Sequence, residues 1–136
     1  MIRIKEVIAT LETFANPSLQ ENYDNATLIT GFKEEVVKGI LITLDITEEV
    51  VEEAIQSGCN LIVAHHPTVI KAIKNDIALY AIHTNLDNVK NGVSFKMAEV
   101  LGLKHIKVLA PMKNTLRKLL FFVPVETTAA VLKAVH

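Results

Sequence analysis

The chain has no tryptophan, and aromatic residues make up only 5% of it. Cys59 is its single cysteine, so no intrachain disulfide can form, which fits a reducing compartment. Neither sign of charge is in excess: 14 Lys and Arg against 15 Asp and Glu leave a formal net charge of −1. A dedicated nucleic-acid binder shows a basic excess or stripe, so the balance argues against that class, while a nucleotide stays open as a small substrate. No apolar run approaches the ~20 residues of a membrane span. The first residues, Met1-Ile2-Arg3-Ile4-Lys5-Glu6, hold no apolar stretch of the kind a secretory signal needs. The expected location is the cytoplasm. Internal repeats, low-complexity stretches and basic clusters are also missing.

What the chain has in quantity is apolar side chains, 50% of its 136 residues. That is enough for a real core and excludes disorder as the main state. Ile4, Val7, Ile8, Leu11 and Phe14 recur at helical spacing over residues 3–14, and Asn16-Pro17-Ser18 ends that helix. Residues 15–36 read as a long loop with a short strand at Thr27–Thr30. Gly39–Leu44, Asn60–Ala64, Ile77–Ile82 and Ile106–Leu109 read as strands. The spacing predicts helices after Thr47, over Thr68–Asp76, over Val93–Leu101 and over Glu126–His136. Near-continuous apolar strands alternating with amphipathic helices indicate an α/β fold: three layers, a mostly parallel sheet with helices on both faces. Leu119–Val123 reads as a further strand. The expected division is 1–112 as the main unit and 113–136 as the start of an inserted α+β domain or a further βα unit.

Open parallel sheets bind ligands beyond the carboxyl ends of their strands. Here three strand ends carry polar groups: Asp45, then His65-His66-Pro67, then His83-Thr84-Asn85-Leu86-Asp87. Adjacent histidines inside a strand point to opposite faces, but at a strand end before proline that restriction relaxes. Imidazole and carboxylate together suit a first-row divalent ion, and a carboxylate can bridge two. The residues alone leave open a metal site, a His/Asp acid–base pair without metal, and a structural role. Asp45 suits a ligand, a cap or a loop hydrogen bond. Asp24 and Asn25 suit turn hydrogen bonds or the site. Cys59 reads as buried and inert, His105 as surface, and Phe95 and Met97 as core.

The order and spacing of Tyr23-Asp24-Asn25, Leu28, Gly31, Leu44-Asp45, Ala64-His65-His66-Pro67, Ala81-Ile82-His83-Thr84-Asn85-Leu86-Asp87, Gly92 and Leu101-Gly102-Leu103 resemble one family. It is the NIF three-like family (NGG-one-interacting factor three), whose bacterial members are often labelled type 2 GTP cyclohydrolase I. The resemblance covers most of residues 1–110. It implies a dinuclear site for two divalent metal ions (Zn, Fe, Mn, Co or Ni), with His65, His66 and Asp87 as ligands and His83 as a proton-handling catalytic residue. It also implies a toroidal homo-hexamer; the charge balance and the short apolar runs lead us to expect no stable nucleic-acid complex and no membrane partner. The implied activity is metal-dependent hydrolysis of a nucleotide or phosphoester, of GTP cyclohydrolase type; the alternative is a non-enzymatic, ring-forming metal-binding adaptor or metal-insertion partner. Three departures stand out. Position 27 is Thr where the family commonly has Gly. His66-Pro67 runs straight into Thr68-Val69-Ile70, where relatives carry a longer segment. The family's last ligands, a His and a Glu, belong to a C-terminal half that this sequence lacks. The expectation is of joined pieces of a longer chain.

Overall fold

A computed structural model describes residues 1–66, 76–110 and 123–135. Its centre is a four-stranded sheet of β1 (Leu28–Thr30), β2 (Ile40–Thr43), β3 (Leu61–Ala64) and β4 (Ala78–Ala81), in the order β1-β4-β3-β2. The β2-β3 and β3-β4 pairs are parallel and β1 runs antiparallel to β4, so the sheet is mostly parallel as expected.

Side-chain alternation divides the core between two faces. Leu61, Val63, Ala78, Tyr80 and Ile82 meet Ile4 and Ile8 of α1 (Ile4–Phe14) on one face. Ile62, Ala64, Ile77 and Leu79 meet Val51 and Ala54 of α2 (Glu48–Gln56) on the other. All residues of β3 and β4 are buried, which accounts for their unbroken apolar text. The expected three layers are therefore present. Tyr80 keeps its phenol neutral: burial and the nearby Glu12 carboxylate push its pKa up to about 12.

Several expectations need correction. Gly39–Leu44 was expected to be a buried strand, but β2 is the sheet edge with alternating exposure. Ile40 and Ile42 lie in register with Leu61 and Val63, on the face that α1 covers further along the sheet, and Ile42 is 80% exposed. Phe14, at the end of the α1 stripe, is half exposed. Ile106–Leu109 forms no strand; Ile106, Val108 and Leu109 are exposed and find no ladder among the described residues. The helix α4 (Val93–Val100) buries none of its residues, so Met97 is surface and Phe95 only half-buried. Cys59 is half-buried against the α2-side cluster. All but the last residue of the expected helix at Thr68–Asp76, all but the last of the strand at Leu119–Val123, and His136 lie outside the described residues. The last predicted helix is found as a 3-10 turn, Val125–Thr127, followed by α5 (Thr128–Val135).

The α2 boundaries follow local chemistry. The Thr47 hydroxyl accepts the Val50 N–H at 3.3 Å, Glu48 and Glu49 occupy the first turn, and Gly58 follows the end at φ +70°. Thr47→Ala is expected to cost about 1 kcal/mol, read as a lower urea midpoint with an unchanged slope. No change in midpoint would show that the cap contributes nothing.

Candidate metal centre

The register brings the strand ends level. Thr43, Ala64 and Ala81 are abreast across β2, β3 and β4. Two residues further on, the three chains present Asp45, His66 and His83; one residue further on, β3 presents His65. The rim expected from the sequence is thus assembled by strand pairing.

His65 and His66 follow the end of β3, their N–H groups still donating to the Thr43 and Leu44 carbonyls, and their ring centroids are 4.8 Å apart. His83 closes the group, with centroids 5.1 Å from His65 and 5.4 Å from His66. One ring nitrogen from each of the three lies within 4.8 Å of the others. Among the described residues this is the one group of three or more His, Cys, Asp or Glu side chains whose donor atoms converge so.

Each imidazole is held the same way. His65 Nδ1 is 3.0 Å from the Ile82 carbonyl oxygen. His66 Nδ1 is 2.6 Å from Asp45 Oδ1, and His83 Nδ1 is 3.1 Å from Asp24 Oδ1. A carbonyl or carboxylate oxygen only accepts, so each Nδ1 carries the proton and donates it. In the neutral ring each Nε2 then keeps a lone pair, the form in which imidazole binds metal. The Asp87 carboxylate adds an oxygen 3.8 Å from His65 Nε2. Three imidazoles with tied Nδ1 atoms and one adjacent carboxylate fit the donor chemistry of a first-row divalent ion.

Asp45 and Asp24 therefore have a part that sequence reasoning left open. Asp45 caps no helix, whereas Asp24 also accepts the N–H of Thr84 at the start of α3 (Thr84–Asn88); each holds a histidine ring nitrogen. Asp45 is 54% exposed, whereas the Asp24 side chain is 2% exposed. Burial alone would raise the Asp24 pKa. Hydrogen bonds from the Thr84 hydroxyl, His83, and the backbone N–H groups of Thr84 and Asn25 outweigh it, and the carboxyl is held below the ordinary carboxylate range.

The long loop exists to hold this rim. The helix α3, a turn missed in the sequence, is tied to it through Thr84, Asn85 and Asn88. Thr84 donates its hydroxyl to Asp24 Oδ2 and accepts the Glu21 N–H at 2.9 Å. Asn85 donates to the Ala15 carbonyl at 2.8 Å, and Asn88 donates to the Leu19 carbonyl at 2.9 Å. Leu86 packs against the α1-side cluster. Within His83-Thr84-Asn85-Leu86-Asp87, the first and last residues face the site and the middle three anchor it. Thr27 serves through its main chain, its carbonyl accepting the Ala81 N–H at 2.9 Å.

Fold and site together define a three-layer α/β protein with a histidine–carboxylate cluster at the carboxyl ends of its parallel strands. The family model described as Duf34/NIF3 (NGG1p interacting factor 3) matches residues 2–74 and 68–135, and the chain belongs to that family. A "GTP cyclohydrolase 1 type 2 homolog" of Halalkalibacterium halodurans is 40% identical, over 94% of this chain and 39% of its own length. A relative of the same description from Clostridium acetobutylicum is 34% identical, over 86% of this chain and 50% of its own. Among solved structures, the Bacillus cereus protein related to NIF3 superposes with TM-score 0.75 at 41% identity, covering 82% of this chain and 35% of that one. Reduced HcgD from Methanocaldococcus jannaschii gives TM-score 0.72 at 34% identity, covering 78% and 49%. The chain thus spans half or less of these relatives. The alignment to the Halalkalibacterium relative runs over 146 positions, more than this chain's 136 residues, so that relative carries residues absent here. The two family matches overlap at residues 68–74, where Pro67 runs directly into Thr68. The overlap fits the shortened segment expected after His66.

Proposed function

We propose that the chain is the metal-holding part of a protein that binds two divalent ions and uses them to hydrolyse a nucleotide or phosphoester. One observation carries the reading: three imidazoles, each with Nδ1 tied, bring one ring nitrogen apiece within 4.8 Å of one another, with His65 Nε2 3.8 Å from the Asp87 carboxylate. His65, His66 and Asp87 are the proposed ligands, drawn from Zn, Fe, Mn, Co or Ni, with further ligands outside these residues. A divalent ion held there supplies Lewis acidity, lowering the pKa of bound water and stabilising charge on a reacting oxygen. His83 takes up the proton, its Nε2 being free to accept. The names of the relatives make a guanine nucleotide the first substrate to try. The proposed partner is further copies of the same protein in a ring. Exposed Ile42, Leu44, Val100 and Leu101 supply the apolar surface such contacts need.

The test is a panel of nucleotides and phosphoesters offered to the metal-loaded full-length protein. The expected result is a saturable rate, abolished by chelator and restored by added metal. Stoichiometric metal without turnover on any member would reject the hydrolase reading in favour of the non-enzymatic one.

A further inference from the structure

We propose that Asp24 is the positioning residue of His83, fixing it as the neutral tautomer that turns an Nε2 lone pair, not an N–H, toward His65 and His66. It deepens the functional reading above by assigning His83 the direction of its proton transfer: it accepts. The proton arrangement itself rests on geometry alone.

The three histidines are oriented by unlike partners. His65 is held by a main-chain carbonyl, and His66 by a carboxylate open to water. His83 alone is held by a buried carboxylate. A buried carboxylate persists only if its lone pairs are filled, and these are. Asp24 Oδ1 accepts His83 Nδ1–H at 3.1 Å and the Asn25 N–H at 2.7 Å. Oδ2 accepts the Thr84 N–H at 3.0 Å and the Thr84 hydroxyl. The His83 proton is therefore locked on Nδ1 by an acceptor that cannot turn away without orphaning the Thr84 N–H.

The isosteric change Asp24→Asn tests this, because an amide has one accepting end. With the amide oxygen on the Thr84 side, only the Asn25 N–H loses its partner, and that group is exposed to water. With the oxygen on the Asn25 side, the Thr84 N–H is orphaned, and Thr84 is buried. The first orientation is the less costly. It places the amide NH₂ against His83 Nδ1, which must then accept, and moves the ring proton to Nε2. The same swap in a serine-protease triad leaves geometry intact and lowers kcat about 10⁴-fold through the wrong tautomer.

The experiment is nitrogen-15 NMR on the metal-free full chain labelled at histidine, at a pH well above the ordinary imidazole range. His83 is assigned by the signal lost in His83→Gln. The expected result is a protonated Nδ1 and unprotonated Nε2 for His83, exchanged in Asp24→Asn and retained in Thr84→Val, which keeps the carboxylate. An Nε2–H tautomer in the unaltered protein overturns the proposal, as does a folded Asp24→Asn protein with the His83 signals unmoved. Should Asp24→Asn fail to fold, the unaltered protein and Thr84→Val still decide it. Neither metal nor turnover enters this readout. A protein that binds no metal would remove the proposed function and leave the Asp24–His83 assignment standing.

Discussion

His65→Ala combined with His66→Ala is expected to abolish stoichiometric divalent-metal binding and to leave the fold intact. Losing only an outer partner of a metal-bound histidine typically costs about 10–100-fold in affinity, and removing the two proposed donors is expected to exceed that range. The fold survives because neither imidazole belongs to either apolar cluster. The structural loss is the bond from His65 to the Ile82 carbonyl, worth about 1 kcal/mol, and the exposed contact of His66 with Asp45. The check is metal content after dialysis, with the unfolding midpoint measured on the same samples. Asp45→Ala provides the graded companion: it leaves both donors but frees the His66 ring, so its loss falls within the 10–100-fold range of an outer partner. Unchanged metal content in the double variant would reject the ligand assignment.

The elements that carry this site were legible to unequal degrees. β3 and β4 were plain because both their faces are buried, which writes an uninterrupted apolar run. β2 gave the same kind of run, yet it is an edge strand. Composition alone does not say where α1 stops covering the sheet, so the exposure of Ile42 was not readable. Ile106–Leu109 misled for the related reason that a short apolar stretch has no strand identity without a neighbour to pair with. Val100, Leu101, Leu103 and Val108 are likewise exposed, so the surplus of apolar residues lies largely outside the core.

The candidate site shows the complementary pattern. His65, His66, His83 and Asp87 were found because strand ends were the place to look, and the structure brings all four to one rim. What the sequence concealed were the carboxylates that orient them. Asp24 lies 59 positions from His83, and Asp45 lies 21 from His66. No spacing rule links residues that far apart; only the register of β2, β3 and β4 and the folding back of the long loop do. The available signal was chemical: Asp45 stood at a strand end level with the histidines, and Asp24 stood in a polar loop too long to be idle.

Gly31→Ala is expected to cost about 3 kcal/mol, well above the ~1 kcal/mol ordinary for alanine at a positive-φ glycine. Gly31 has φ +100°, and a Cβ there would lie 2.4 Å from Ala78 Cβ and 2.6 Å from Ala78 Cα. Ala78 is the first residue of β4, so the obstacle is backbone in the sheet centre, which cannot swing aside. Gly58→Ala isolates the two causes, because Gly58 has φ +70° with nothing within 4 Å of the added carbon. Its cost is the backbone strain alone, and the difference between the variants is the cost of the close approach. Against a total stability of roughly 5–15 kcal/mol, the first change is a large fraction and the second a minor one. Relief comes only by moving β1 off β4. That opens the pairing of Leu28 with Tyr80 and of the Thr27 carbonyl with Ala81, immediately after the loop that places Asp24. Urea unfolding of both variants reads the energies, and the His83 tautomer signals read whether the loop has moved. Equal midpoints for the two variants would show that β1 and β4 yield at no cost, and that the glycine is there for its φ angle only.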